Sequence, residues 1–326
     1  MTAPPCSRLQ LPTELLRQIV AEYVHCESVL AKERAPHGPR RSYKPAWKVV
    51  QSLSLAAKAL RQLALEAWFE VYFAPSPEAL LQAWPECGSW TRELHCVELG
   101  TDLQAPPLRH WDYRTFHRLR KLRVDFDPAQ SNASLVLRFE TPRYITSQIT
   151  TLELFDISWP SPKTLEVIAR AFPNIENLKL AQDLIWCNLC NICRFATFKD
   201  PPPAEISYDK VVGLPTHYAT YLKALIRLHT FTLSIVYGLG GFTSLSKGNE
   251  NLWTGECDAC MDIMYAIDDF RCDWVEQKKM IERPPALKLV KWQFRQKNEI
   301  NVAKDEDSDG STLLDYTDQV TTELDE

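Results

Sequence analysis

A seven-residue template recurs along this chain and limits what it can fold into. In the form x-Φ-x-x-Φ-x-Φ it occurs at 93–99 (ELHCVEL), 118–124 (RLRKLRV) and 148–154 (QITTLEL). It returns at 174–180 (NIENLKL) and 227–233 (RLHTFTL), with a weaker sixth copy at 286–292 (ALKLVKW). The start-to-start spacings are 25, 30, 26, 53 and 59 residues. The first three lie at or near a 20–29-residue repeat period, and the last two read as a double period or an insertion. Each copy ends in an alternating Φ-x-Φ, the pattern of a short strand. Between two copies, residues 161–172 form an amphipathic helical pattern stopped by Pro173. Strand, helix and strand at this interval predict an α/β fold built from stacked units.

This pattern resembles leucine-rich repeats in irregular form, without their usual asparagine ladder. The resemblance covers residues 85–298 and implies a solenoid of strand-plus-helix repeats, with Cys-bearing insertions where the spacing doubles. The alternative from the residues alone is an unrelated α/β domain.

The N-terminal part has a different rhythm. Leu11-Pro12 enters a helix in which Leu15, Leu16, Ile19 and Val20 form one apolar stripe. Pro12 suits the first turn, where its missing N–H has no partner to lose, and Glu14 suits the positive end of the dipole. Residues 31–46 read as a basic loop punctuated by Pro36, Gly38, Pro39 and Pro45. Helical spacing resumes at Trp47 and continues through Val50, Leu53, Leu60, Leu63 and Trp68, so residues 8–73 predict a three-helix unit.

The run Leu11-Pro12-x-Glu14-Leu15-Leu16-x-x-Ile19-Val20 resembles the opening of an F-box, and Leu53 to Trp68 is similar to its second half. The resemblance covers about a fifth of the chain and departs from the pattern in a long basic insert at 25–46. It implies docking on the adaptor subunit of a cullin–RING ubiquitin ligase. Carried over by position, Leu11, Pro12, Leu15, Leu16 and Ile19 make that contact, with Val50 and Leu53 as weaker members. The order of parts, docking module before repeats, is similar to fungal F-box proteins with degenerate repeats.

Cysteines mark a second site. Cys187, Cys190 and Cys193 form one cluster and Cys257 and Cys260 a Cys-x-x-Cys pair, with 66 residues between Cys190 and Cys257. Doubled Cys-x-x-Cys suits a tetrahedral Zn²⁺ held by four thiolates. Both clusters follow template strands, so insertions from the same side of a solenoid can bring them together. Five cysteines compete for four places, and the metal expected is one structural zinc ion. Burial as reduced thiols among Trp186, Phe195 and Trp253 is the competing reading.

Charge and composition exclude other classes. The net charge of −5 hides ten acidic residues against Lys304 alone from Glu299 onward, a −9 tail at 299–326 read as disordered, leaving +4 for residues 1–298. The body carries no basic stripe for nucleic acid. No secretory leader and no apolar run of spanning length is visible, which predicts an intracellular protein, cytoplasmic or nuclear, with reduced thiols and an idle Asn132 sequon. The seven histidines form no metal or catalytic spacing, and no phosphate loop or nucleophile elbow occurs. The sequence therefore predicts a non-enzymatic adaptor between a ligase and an unknown protein target. The alternative is a ligase-independent repeat scaffold whose N-terminal helices belong to its own core.

Overall fold

A computed structural model describes residues 11–34, 44, 47–97, 113–126, 146–157, 162–191, 193–209, 213–240 and 255–296. The expected acidic tail at 299–326 and most of the basic loop lie outside the described residues. Three helices come first: α1 (Thr13–Arg34), α2 (Trp47–Ala56) and α3 (Lys58–Trp68). α1 runs further than its first apolar stripe predicts, through residues expected to begin the loop at 31. The segment Glu27-Ser-Val-Leu-Ala-Lys-Glu-Arg34 is rich in helix formers and meets no breaker before Pro36. Val20 and Val24 of α1, Val50 of α2 and Leu63, Ala64 and Trp68 of α3 form a core of their own, with Leu16 and Leu53 packed at its margin.

The sheet begins without a break. β1 (Val71–Ala74) follows α3 and pairs in parallel with β2 (Glu93–Val97), so the expected boundary at 73 falls inside a strand. Short helices α4 (Pro77–Leu81) and α5 (Cys87–Trp90) fill the connection. β3 (Lys121–Asp125) and β4 (Thr151–Ile157) come next, then α6 (Pro162–Ala171), which realises the helix expected at 161–172. β5 (Asn177–Gln182) is followed by a separate ribbon of β6 (Ile185–Trp186) and β7 (Cys193–Arg194). After it come β8 (Ala196–Phe198), β9 (Glu205–Asp209), α7 (Thr216–Leu222) and β10 (Thr230–Leu239). α8 (Asp258–Met264), α9 (Asp268–Lys279) and β11 (Leu289–Gln296) complete the described chain. The protein is thus mixed α/β, with nine helices among the described residues and a nine-stranded, mostly parallel sheet.

The sheet order is β1-β2-β3-β4-β5-β10-β11-β9, with β8 beside β10. Every template strand lies next to the template strand before it in the chain, and all of these pairs are parallel. Only the edge strand β9 is antiparallel. Its alternating exposure and the Lys291–Glu205 pair at 3.2 Å place charge along that edge, which discourages pairing with another chain.

Register aligns Val71, Glu93, Lys121, Thr151, Asn177, Thr230 and Leu289 side by side. This confirms the frame of five template copies and shifts the first. Lys121, Thr151, Asn177, Thr230 and Leu289 are each the fourth residue of their copy, so Glu93 must be a fourth residue as well, and the copy placed at 93–99 spans 90–96. The misplacement has a physical cause: the second position of this copy is Thr91, fully buried with its hydroxyl donating to the Phe69 carbonyl at 2.9 Å, where the five later copies carry Leu or Ile. A further copy at 68–74 carries Phe69, Tyr72 and Ala74, and with no Leu or Ile at any of the three positions it escaped the template.

One face of the sheet is apolar. The fifth and seventh positions, from Leu94 and Cys96 through Leu152 and Leu154 to Val290 and Trp292, form the main core beneath α6 and α7. Trp292 is fully buried and its Nε1 donates to the Gly213 carbonyl at 2.7 Å. The opposite face carries matched charges. Lys121 lies between Glu93 at 3.5 Å and Glu153 at 3.2 Å on the two flanking strands. Deeper in, Arg123 donates from Nε and Nη2 to the two Asp125 oxygens at 2.8 and 2.9 Å, and His95 Nε2 donates to Asp125 at 2.8 Å. His95 and Asp125 are completely buried, and the Arg123 guanidinium stacks over Phe155 at 4.1 Å. Burial alone raises the Asp125 carboxyl, but the bonds from His95 and Arg123 outweigh it and hold it at about 2.

Ionised Asp125 therefore stabilises the fold above the ordinary carboxylate range, and that stability is lost as pH falls through its unfolded value of 3.8 toward 2. Urea unfolding at successively lower pH should show a loss of about 2 kcal/mol attributable to this group. Asp125→Ala should cost about 3–5 kcal/mol at neutral pH, because it leaves a buried guanidinium without its carboxylate, and should flatten the acid slope.

Candidate metal centre and docking surface

The two Cys-x-x-Cys segments are shaped locally to turn their sulfurs the same way. Cys257 precedes the first residue of α8, and its carbonyl accepts from the Cys260 and Met261 N–H groups at 3.0 Å. That turn sets Cys260 one helical step from Cys257, on the same side. In the other segment the Asn191 N–H donates to the Cys187 carbonyl at 3.0 Å, closing a turn through Asn191 at φ 55. Asn is among the few residues that tolerate this left-handed conformation. The Asn188 N–H donates to the Gly255 carbonyl at 2.9 Å and joins the two loops directly. Gly255, at φ 71, must be glycine: a Cβ there would overlap the His217 ring.

Cys187, Cys190, Cys257 and Cys260 meet with all four sulfurs within 4.8 Å of one another. Tetrahedral thiolate coordination at a metal–sulfur distance of about 2.3 Å separates sulfurs by about 3.8 Å, so a small inward movement of each completes the geometry. The Cys257 N–H donates to the Cys187 sulfur at 3.4 Å. Burial pushes the Cys187 thiol up, while N–H groups from Cys190, Cys257 and Leu189 act in the opposite sense and favour its thiolate. Burial, and then hydrogen bonds with the sulfurs of Cys257 and Cys190, push the Cys260 thiol up strongly. Those shifts keep the sulfurs as neutral thiols when no cation is among them, and a metal ion would be bound by the four as thiolates, so the four cysteines can hold a metal ion. Four sulfurs fill a tetrahedral shell and leave no position for substrate. The fifth expected ligand, Cys193, lies in β7 opposite Trp186, and its side chain is outside the described residues.

A buried carboxylate that sequence reasoning missed supports this centre. Glu256, next to Cys257, accepts from Trp274 Nε1 at 2.6 Å and Tyr265 OH at 2.7 Å, and pairs with Lys278 at 3.1 Å. It thereby ties α8 and α9 to the metal loop. The only trace of this in the sequence is Trp274 and Lys278 at i, i+4 on one helix, which names no partner.

The second candidate surface is on α1. Leu11, Leu15 and Ile19 are 54%, 46% and 55% exposed, and Pro12 is exposed with them. Tyr23, at 44%, extends the stripe by one more turn and was missed because the stripe was followed only to Val20. Leu16 and Leu53 are half-buried on the helical core. Val50 corrects an expectation: it is completely buried between α1 and α3, so it is core and offers no surface to a partner. α1 is therefore two-sided, with one apolar stripe in its own core and another facing outward. Among the described residues no helix is long and apolar enough to cross a membrane.

The purified full chain should carry about one metal ion, measured by plasma mass spectrometry. Cys257→Ser should abolish it, and a strong chelator should lower the melting temperature of wild type but not of the variant. Compared with protein families and with curated proteins, the chain matches none of them.

Proposed function

We propose that this chain is a substrate-recognition adaptor of a cullin–RING ubiquitin ligase. Its N-terminal helices dock the ligase's adaptor subunit, and its repeat sheet carries the region that meets a protein target. The observation that carries this reading is the outward stripe Leu11, Leu15, Ile19 and Tyr23 on a three-helix unit that already has a core of its own. A helix that needed this stripe for its own fold would bury it, and contiguous exposed apolar surface on a soluble chain marks a contact site. The F-box-like order of Leu, Pro, Glu and paired Leu residues names the partner. Parallel template strands stacked in chain order support an irregular leucine-rich-repeat architecture beyond it. In this reading the chain performs no chemistry: ubiquitin transfer belongs to other subunits. The four-cysteine centre holds one structural zinc ion, since an all-thiolate tetrahedral set suits zinc.

The rival reading, a ligase-independent repeat scaffold, differs in one measurement. The purified chain should retain the ligase's adaptor subunit, and Leu15→Asp with Ile19→Asp should weaken that retention at least a hundredfold with no change in melting temperature, since both side chains are already exposed. Val50→Asp should instead unfold the helical unit. Retention by the double variant, or none by wild type, rejects the adaptor reading in favour of the scaffold.

A further inference from the structure

We infer that the α8–α9 segment, tied through Glu256 to the Cys257 loop, is a peptide-docking surface whose occupant is a basic segment with apolar anchors. It deepens the adaptor reading, on which it rests only for the identification of that occupant as the ligase's target.

Ile263 and Ile267 are four residues apart and are 69% and 53% exposed. Among the described residues neither side chain belongs to a buried cluster. Their surroundings are acidic. Asp262, Asp269 and Asp273 are exposed on the same segment. Lys278 is drawn inward to Glu256 at 3.1 Å, and Lys279 is engaged with Glu276 at 2.7 Å, which leaves Arg271 against three carboxylates. Apolar residues set among carboxylates complement an apolar segment flanked by Lys or Arg.

The segment is also rigid in the places where a docking surface needs rigidity. Tyr265 and Trp274 are half-buried, with their polar atoms fixed on one carboxylate. Phe270 stacks on Trp274 with ring centroids 6.1 Å apart. Aromatic side chains held this way lose little entropy on binding and are the residue types that dominate hot spots. The strand face makes a poorer site, because Glu93, Lys121 and Glu153 already satisfy one another, as do His95, Arg123 and Asp125. Since Glu256 adjoins Cys257, loss of the metal would release the carboxylate that orders the segment.

Selection of a displayed library of random 16-residue peptides against the full, zinc-loaded chain tests this. Enriched peptides should carry an excess of Lys and Arg with apolar residues between them. Synthetic copies should bind at least tenfold more weakly to Ile263→Asp with Ile267→Asp, and also to the milder Ile263→Gln with Ile267→Gln, both with unchanged melting temperature. Binding should weaken with added salt and after chelation of zinc, and should be unaffected by Leu15→Asp with Ile19→Asp. Enrichment of acidic or uncharged peptides, equal binding by the isoleucine variants, or no enrichment overturns the inference. None of these outcomes bears on retention of the ligase subunit, which is measured separately.

Discussion

At each of the six steps between template strands, the carbonyl of the residue just before a strand accepts two N–H groups from the next. Glu70 receives Arg92 and Glu93, Arg92 receives Arg120 and Lys121, and Arg120 receives Thr150 and Thr151. The step continues from Thr150 to Glu176 and Asn177, from Glu176 to His229 and Thr230, and from His229 to Lys288 and Leu289. Just ahead of it, an N–H three residues on closes a tight turn in five of the units, as when Leu119 donates to Phe116 and Ile175 to Phe172. This backbone-only step does the aligning work that a side-chain ladder would otherwise do. It explains how units with unlike residues at the third position (Glu, Arg, Arg, Thr, Glu, His) still stack in one register.

Because the step depends on backbone, it tolerates anything in between. The connection from β5 to β10 carries the β6–β7 ribbon, two further strands and α7, yet β10 returns to the register that β4 gives β5. The next connection carries α8 and α9 before β11 resumes it. Each long connection holds one Cys-x-x-Cys, and loops of this length have little apolar surface with which to order themselves. The four cysteines, which can hold one metal ion between them, bring the two connections together, and Glu256, next to Cys257, reaches Trp274 and Lys278 of α9.

How much of this is legible in sequence follows from the kind of contact involved. Apolar residues at fixed intervals announced β3, β4, β5, β10 and β11, since each of those copies buries its fifth and seventh residues in the same core. β1 stayed hidden because Tyr72 and Ala74 fill those places, and β2 was misframed because polar Thr91 stands at the second position of its copy. The cysteine spacing offered five thiols for four places, and the turns at Asn191 and Gly255 beside Cys187, Cys190, Cys257 and Cys260 are revealed by no spacing. Apolarity likewise could not separate Val50 from Leu15. Both sit on apolar helix stripes, and only the packing of α1 on α3 makes one core and leaves the other outside.

The two exposed apolar surfaces stand at different places along the sheet. The helical unit runs directly into β1, at one edge, while the cysteine-bearing loops follow β5 and β10. Five strand steps separate β1 from β10, and at about 4.8 Å per step this amounts to about 24 Å along the sheet. A parallel sheet with buried strands on both sides of each step resists bending within its plane far better than a linker does. The number of strand steps between the helical unit and the Cys-x-x-Cys loops is set by the number of template units between them. In the adaptor reading that number has a purpose: it decides how far from the ligase a bound target is held, so removal of one strand-plus-connection unit would shorten the reach by about one strand spacing without touching either surface.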